Sequence, residues 1–246
     1  MSANNTWRGA TYGLLLVIIL WQLLAWLLRI PIIPPPLAVF TNLIGIFAAK
    51  MSIHLIYSLG RIVAGISIAI LLGVPLGLLM GYFVRVDKIL SPLVYFTYPI
   101  PKIALLPIVM LLFGLGEASK LIMIVLIVIF QIIITSRDAV KAIPHEIFRS
   151  LQSLGAHKRQ MFTEIIIPAS LSDVLTATRL ALGTAVSILF FTETFGTEFG
   201  MGYFIMDAWM RVNYLDMYGG IVVLSLMGFV LFSVIDIAER KVSSWR

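Results

Sequence analysis

Residues His54 to Tyr82 read HLIYSLGRIVAGISIAILLGVPLGLLMGY, an apolar run with a single charge at Arg61. An α-helix of about 20 apolar residues crosses the ~30 Å hydrocarbon core of a bilayer, so this stretch is long enough to span one. It lacks the alternation of faces that marks a barrel strand. Working outward, five further apolar stretches run from Tyr12 to Leu28, Ile89 to Phe113, Ser119 to Thr135, Leu171 to Phe191 and Met217 to Ile237. The 246-residue chain is 60% hydrophobic and 12% charged, with a mean hydropathy of +1.03. A water-soluble surface takes roughly 25% charged residues. The expected fold class is therefore all-α: a polytopic membrane protein of about six transmembrane helices, forming a single transmembrane domain over residues 1–246.

Two spans carry more than hydropathy. Gly73, Gly77 and Gly81 recur every four residues in the second, leaving a stripe free of side chains where a neighbouring helix can pack closely. A hinge at Pro75 is the alternative reading, because proline removes one helical hydrogen bond. The third span holds Pro92, Pro99, Pro101 and Pro107, and no regular helix absorbs four prolines without a break or kink. Broken helices at membrane depth pack inside protein or line a cavity. Both a kinked core helix and a wall of a translocation route fit this pattern.

Charge sets the orientation. With the N-terminus in the cytoplasm, Arg8, Arg85, Lys88, Arg137, Lys141, Arg149, Lys158, Arg159, Arg240, Lys241 and Arg246 fall on that side, and only Arg29, Lys50, Lys120 and Arg211 fall outside. That excess satisfies the positive-inside rule and puts both termini in the cytoplasm. The first span is read as a retained helix, since Arg29-Ile30-Pro31 offers no small-residue cleavage site. Asn4-Asn5-Thr6 matches a glycosylation acceptor formally, but this topology keeps it from the glycosylating side. The net charge of +6 comes without a basic run interleaved with aromatics, so no nucleic-acid partner is expected. Cysteine is absent, which excludes disulfides, thiolate metal sites and a cysteine nucleophile. His54, His145 and His157 lack ligand spacing, and no metal site is expected.

The longest cytoplasmic segment, Ser136 to Ser170, reads as two short helices joined at Gly155. Pro144 suits a first helical turn and Gly155 a C-terminal cap. Between them Ile147, Phe148, Leu151 and Leu154 share one face, while Glu146, Arg149, Ser150, Gln152 and Ser153 occupy the rest. A second helix is expected from His157 to about Ile167, ending at Pro168. The first of these helices suits either the lipid headgroup surface or a groove in another protein.

From Pro34 onward the chain resembles the inner-membrane permease subunits of ABC importers, within the nitrate/taurine/alkanesulfonate group. Their hallmark is a loop of the form E-A-A, three residues, Gly, nine residues, I-x-L-P. Gly155, the nine residues Ala156 to Glu164, and Ile165-Ile166-Ile167-Pro168 match its second half, with Ile167 in place of Leu. Its first half departs, since Arg149, Ser150 and Leu151 stand at the E-A-A positions and Arg149 reverses the usual charge. The same group is echoed by PPPLAVF at Pro34 to Phe40, SLGRIVAG at Ser58 to Gly65, LLGVPLGLLMG at Leu71 to Gly81 and YPIPKIALLPIVMLLFGLGEASK at Tyr98 to Lys120. Glu193 and the pattern Gly200, Gly202, Tyr203 also agree with it.

The resemblance implies a cell inner-membrane permease that is not itself an enzyme. Its partners would be two cytoplasmic ATPase subunits, a second permease copy and an extracytoplasmic binding protein, with ATP and Mg belonging to the ATPase and no cofactor in this chain. No G-x-x-x-x-G-K-[ST] loop for nucleotide phosphates occurs in the sequence. The coupling helix that docks on the ATPase would comprise Glu146, Ile147, Phe148, Arg149, Ser150, Leu151, Ser153, Leu154, Gly155, Ala156 and His157. For the translocation route the candidates are Tyr98, Lys102, Thr192, Glu193 and Thr194, polar groups near helix interruptions. Alternatively, Glu193 braces the subunit by pairing with Lys102 or Arg211. A small anion such as a sulfonate, nitrate or bicarbonate is the expected solute, with a pyrimidine or vitamin precursor as the alternative. A membrane-embedded enzyme would need paired acidic or histidine motifs that the chain lacks. An ion-coupled transporter is the closer rival: it would place ionisable groups at mid-membrane on discontinuous helices, and Arg61, Lys102, Arg179 and Glu193 are its candidates.

Overall fold

The computed structural model describes residues 3–242, and those are helical with short connections. Side chains are described from Tyr12 to Val242, so the side chains of Asn4-Asn5-Thr6 and Arg8, and all of Arg246, lie outside the described residues. Helix α1 (Ala3–Leu28) touches the rest sparingly: Trp21 Nε1 donates to the Pro34 carbonyl at 3.0 Å and its ring stacks on Tyr218. Helix α2 (Pro36–Ile46) starts on a first-turn proline, where the missing N–H has no intrahelical partner to lose. A π-turn over Phe47–Met51 then leads into α3 (Ser52–Tyr82) without a break. The second span is thus the end of one 47-residue helix that begins at Pro36, well before its hydropathic start at His54. Pro75 does not interrupt α3.

The third span breaks. Helix α4 (Val84–Thr97) tolerates Pro92 within it, the chain leaves helical geometry at Tyr98–Pro101, and a 3₁₀ turn (Lys102–Leu105) starts α5 (Leu106–Phe113) at 82° to α4. Pro99 and Pro101 lie in the break itself. Pro107 sits in the first turn of α5, where no N–H is needed.

Helix α6 (Glu117–Lys141) is central, with α3 on one side and α9 (Ile167–Glu193) on the other. Ile62, Ile66 and Ala69 of α3 meet Ile124, Val128 and Ile132 of α6 and Ala181, Leu182 and Ala185 of α9 in the main core. That core continues into α10 (Met201–Met210) and α11 (Tyr214–Val242) through Phe204, Ile205, Val223 and Met227. Gly77 and Gly81 lie directly against the α6 backbone: a Cβ on Gly77 would meet the Ile133 carbonyl at 2.5 Å, and one on Gly81 the Arg137 carbonyl at 2.8 Å. Gly73 lies against Ile129 and Ile132 of the same helix.

Between α6 and α9 stand α7 (His145–Ser153) and a single turn, α8 (Lys158–Gln160). Pro144 takes the N-cap position of α7, one residue outside the first turn. The second loop helix does not end at Pro168 as its proline suggests. Helical structure runs on from Lys158 to Glu193, 36 residues, through a π-turn at Met161–Ile166. In that widened turn the hydrogen-bond ladder has already shifted register, so the missing N–H of Pro168 breaks nothing.

Among the described residues, four stretches are long and apolar enough to cross a membrane: Pro36–Tyr82, Glu117–Lys141, Lys158–Glu193 and Tyr214–Val242. The bent pair α4 and α5, counted as one span, makes a fifth, and Tyr12–Leu28 is a shorter apolar helix. Overpacking a tight contact costs roughly 1–3 kcal/mol. Gly77→Val should accordingly lower the melting temperature of the detergent-solubilised protein by several degrees, as read by a thermal shift assay. Gly60→Ala, with no atom within 4 Å of the new Cβ, should cause no loss.

Candidate functional site

Helix α7 ends as its sequence dictates. Gly155 adopts φ +80° and lets its N–H reach the Gln152 carbonyl (2.9 Å) while Ala156 N–H reaches that of Leu151 (3.2 Å), a Schellman arrangement. Ala156 and Leu151 accompany it by packing into the same apolar cluster. The four apolar side chains of α7 do not act as one face. Phe148 and Leu151 turn inward, against Tyr82 and Phe162 and against Ile143, Met161 and Ile165 respectively. Ile147 (47% exposed) and Leu154 (83%) form the outer, exposed edge. At 100° per residue Ile147 and Leu154 nearly coincide, and Phe148 lies a quarter-turn round, which is how so short a helix serves two sides. Around that edge Glu146, Arg149, Ser150, Ser153 and His157 are exposed. Ser150 and Ser153 donate to the carbonyls of Glu146 and Arg149, so their hydroxyls are occupied locally.

The polar candidates near the interrupted helices separate into two groups. Glu193, at the end of α9, is fully buried. Its carboxylate accepts from Arg61 (2.7 Å), Ser58 Oγ (2.8 Å) and the Gly202 N–H (2.9 Å). Arg61 of α3, 3% exposed, also donates to the Phe199 carbonyl and, through Nε and a terminal nitrogen, to Glu117 at the start of α6. One guanidinium therefore joins α3, α6, α9 and the loop before α10. The partner expected for Glu193 was Lys102 or Arg211, and it is neither: Arg211 pairs with Asp207 one turn away, and Lys102 donates to its own backbone. Topology held an available clue, since Arg61 and Glu193 both lie toward the same predicted face, yet 132 residues separate them. Glycine is required beside this cluster, where Gly200 has φ +132° and a Cβ on Gly202 would strike Glu193.

Thr192 is also buried, and its hydroxyl bonds back to Leu189. Thr192 and Glu193 thus lie inside the subunit, where Arg61, Ser58 and the Gly202 N–H hold the end of α9, as the bracing alternative for Glu193 requires though with another basic partner. Thr194 is half-buried, donating to the Phe191 carbonyl. Tyr98 is exposed and Lys102 half-buried at the break of the third span. Two further networks went unseen in the sequence: Arg179 forms ion pairs with Asp236 and Glu239 between α9 and α11, and Arg137 reaches Tyr95, Ser91 and Asp87 of α4. Among the described residues no cluster of His, Cys, Asp and Glu has the makings of a metal site.

Residues 69–244 match the family model described as the binding-protein-dependent transport system inner membrane component. The chain is 31% identical to the taurine transport system permease protein of Escherichia coli, with 87% of this chain and 80% of that one aligned. It is 30% identical to the formylaminopyrimidine transport permease protein of Halalkalibacterium halodurans, with 96% and 95% aligned. In fold it resembles a chain of the MetNI methionine ABC transporter in an inward-facing conformation, with a TM-score of 0.67, 19% identity, and 76% and 93% of the two chains covered.

Removing one partner of a buried ion pair leaves an uncompensated charge, typically at a cost of 3–5 kcal/mol. Arg61→Met should therefore destabilise strongly in thermal unfolding, and adding Glu193→Gln to the same chain should recover part of the loss. Losses that simply add would show that the two residues are not coupled.

Proposed function

Since the chain belongs to the binding-protein-dependent transport system inner membrane component family, the permeases of ABC importers, we propose how this member couples to its motor and what it carries. It is the membrane permease subunit of such an importer, a multi-pass protein that works with an ATPase and a binding protein. On our reading α7 is the coupling helix, and the outer edge formed by Ile147 and Leu154 enters a groove on the ATPase. The observation that carries this is the division of α7: Phe148 and Leu151 anchor it to α3 and the Met161–Ile166 turn, leaving two large apolar side chains uncovered on the other edge. A push on that edge would travel through Phe148 and Tyr82 into α3. Arg149, Ser150, Ser153 and His157 would form the polar rim of the contact, with Glu146 in the first turn.

The working unit is proposed as two copies of this permease around a two-fold axis with two ATPase subunits, which bind ATP and Mg, and both termini cytoplasmic. One subunit of five or six spans offers too few walls to enclose a gated path. The break between α4 and α5, with Tyr98 and Lys102, and the half-buried Thr194 are the proposed lining. For the solute, a small anion bearing a sulfonate or similar group is favoured, in keeping with the taurine permease relative. A pyrimidine is the second reading, in keeping with the formylaminopyrimidine relative.

Leu154→Asp should abolish copurification of the ATPase while leaving the permease at normal membrane levels, because Leu154 is 83% exposed within its own chain. Leu151→Asp should lower those levels as well, since it buries a charge against Met161 and Ile165. Retention of the ATPase and normal uptake by the Leu154→Asp variant would remove α7 as the coupling element. A thermal shift screen of the partner binding protein against sulfonates, nitrate, bicarbonate and pyrimidines identifies the solute. Stabilisation by pyrimidines alone would overturn the anion.

A further inference from the structure

Among the described residues, the other buried or half-buried cations of the spanning helices are accounted for. Arg61 faces Glu117 and Glu193, Arg137 faces Asp87 and Asp138, and Arg179 faces Asp236 and Glu239. Lys120 bonds the carbonyls of Leu115 and Gly116 and is 1% exposed, sealed in electrostatic reach of Glu117 and Glu193. Lys102 differs on both counts: among the described residues it forms no ion pair, and it is only half-buried. Its ammonium donates to the carbonyls of Thr97 (3.1 Å) and Tyr98 (2.8 Å) and lies over the rings of Tyr98 (5.5 Å) and Phe130 (4.9 Å).

Every one of those partners is neutral. They hold the ammonium in place without cancelling its charge, and with three N–H donors on the group one is left for a further acceptor. The C-terminal dipole of α4 offsets roughly half a charge at most. Helix α4 has 14 residues, so its C-terminal carbonyls, which Lys102 meets, lie about 21 Å along the helix from Val84, inside the broken apolar span Val84–Phe113. A cation there is costly unless it faces water or a counter-ion.

We propose that Lys102 is the electrostatic selectivity residue of the translocation route, favouring small oxyanions as they pass the break between α4 and α5. The proposal rests on the reading that this break lines the route. In a two-fold assembly the two ammoniums would flank one path and offer a hydrogen-bond donor from each side. The fixed positive potential raises the local concentration of anions and lowers that of cations.

The absence of cysteine from the chain allows a direct test. Ala104, exposed two residues beyond Lys102, is changed to Cys in the permease assembled with its ATPase and binding protein in proteoliposomes. Labelling rates are measured for two membrane-impermeant reagents, the anionic sulfonatoethyl and the cationic trimethylammonioethyl methanethiosulfonate, each relative to N-acetylcysteine, with and without trapped nucleotide. A preference for the anionic reagent on the order of tenfold is expected. It should fall to near unity with Lys102→Gln, persist with Lys102→Arg, and shrink as salt approaches about 1 M. Should Lys102→Gln fail to assemble, the salt dependence of the Lys102 chain decides. Labelling with no charge preference, or with one indifferent to both Lys102→Gln and salt, overturns the selectivity while leaving the route where it is. Labelling by neither reagent in any nucleotide state removes the break from the route, and this inference with it.

Discussion

At Gly77 and Gly81 no side chain separates α3 from α6, and the two backbones touch. In lipid there is no hydrophobic force to press helices together, so close van der Waals contact of this kind is what fixes one spanning helix on another. With α3 locked to α6, the third spanning helix, α9, packs on both of them. Arg61 then comes within reach of Glu117 on α6 and Glu193 on α9. The ion pair is a consequence of that packing and also its fastener: desolvating an arginine and a glutamate is tolerable only with every hydrogen bond met, and here the Ser58 hydroxyl and the Gly202 N–H complete the set.

The prolines show how one residue type gives different outcomes. Pro36 and Pro107 stand in first turns, where an N–H has no partner, and Pro168 follows a π-turn that has already displaced the ladder. Pro75 and Pro92 are absorbed within helices. Pro99 and Pro101, two residues apart, stand at the break of the third span, where together they remove two nearby donors and restrict the residues before them. The carbonyls that the break exposes at Thr97 and Tyr98 are met by Lys102 from the far side of it. The group that repairs the broken helix is thus also the one that carries charge to this depth.

On the proposed reading, helix α7 has a transmission task for its nine residues. A helix that only covered the membrane helices could not grip a partner, and one that only gripped a partner would be loose on its own chain. Phe148 and Leu151 hold α7 to its own chain, and Ile147 with Leu154 would supply the contact with the partner. The Schellman turn at Gly155 stops the helix before it can run on into α8.

The sequence by itself determined the class of the protein, the apolar spans, that the third of them is interrupted, and the family, because hydropathy, proline spacing and short motifs act over a few turns of chain. It also located α7 and its Gly155 cap, whose hydrogen bonds are local. Tertiary structure alone decided which side of α7 is free, since that depends on where Tyr82 and Met161 lie, and that the helix beginning at Lys158 continues through Pro168. It decided as well that Glu193 meets Arg61 rather than Lys102 or Arg211. Pairing of buried charges follows from which helices are neighbours, and helix adjacency is fixed by shape complementarity between segments more than a hundred residues apart, which local patterns do not encode.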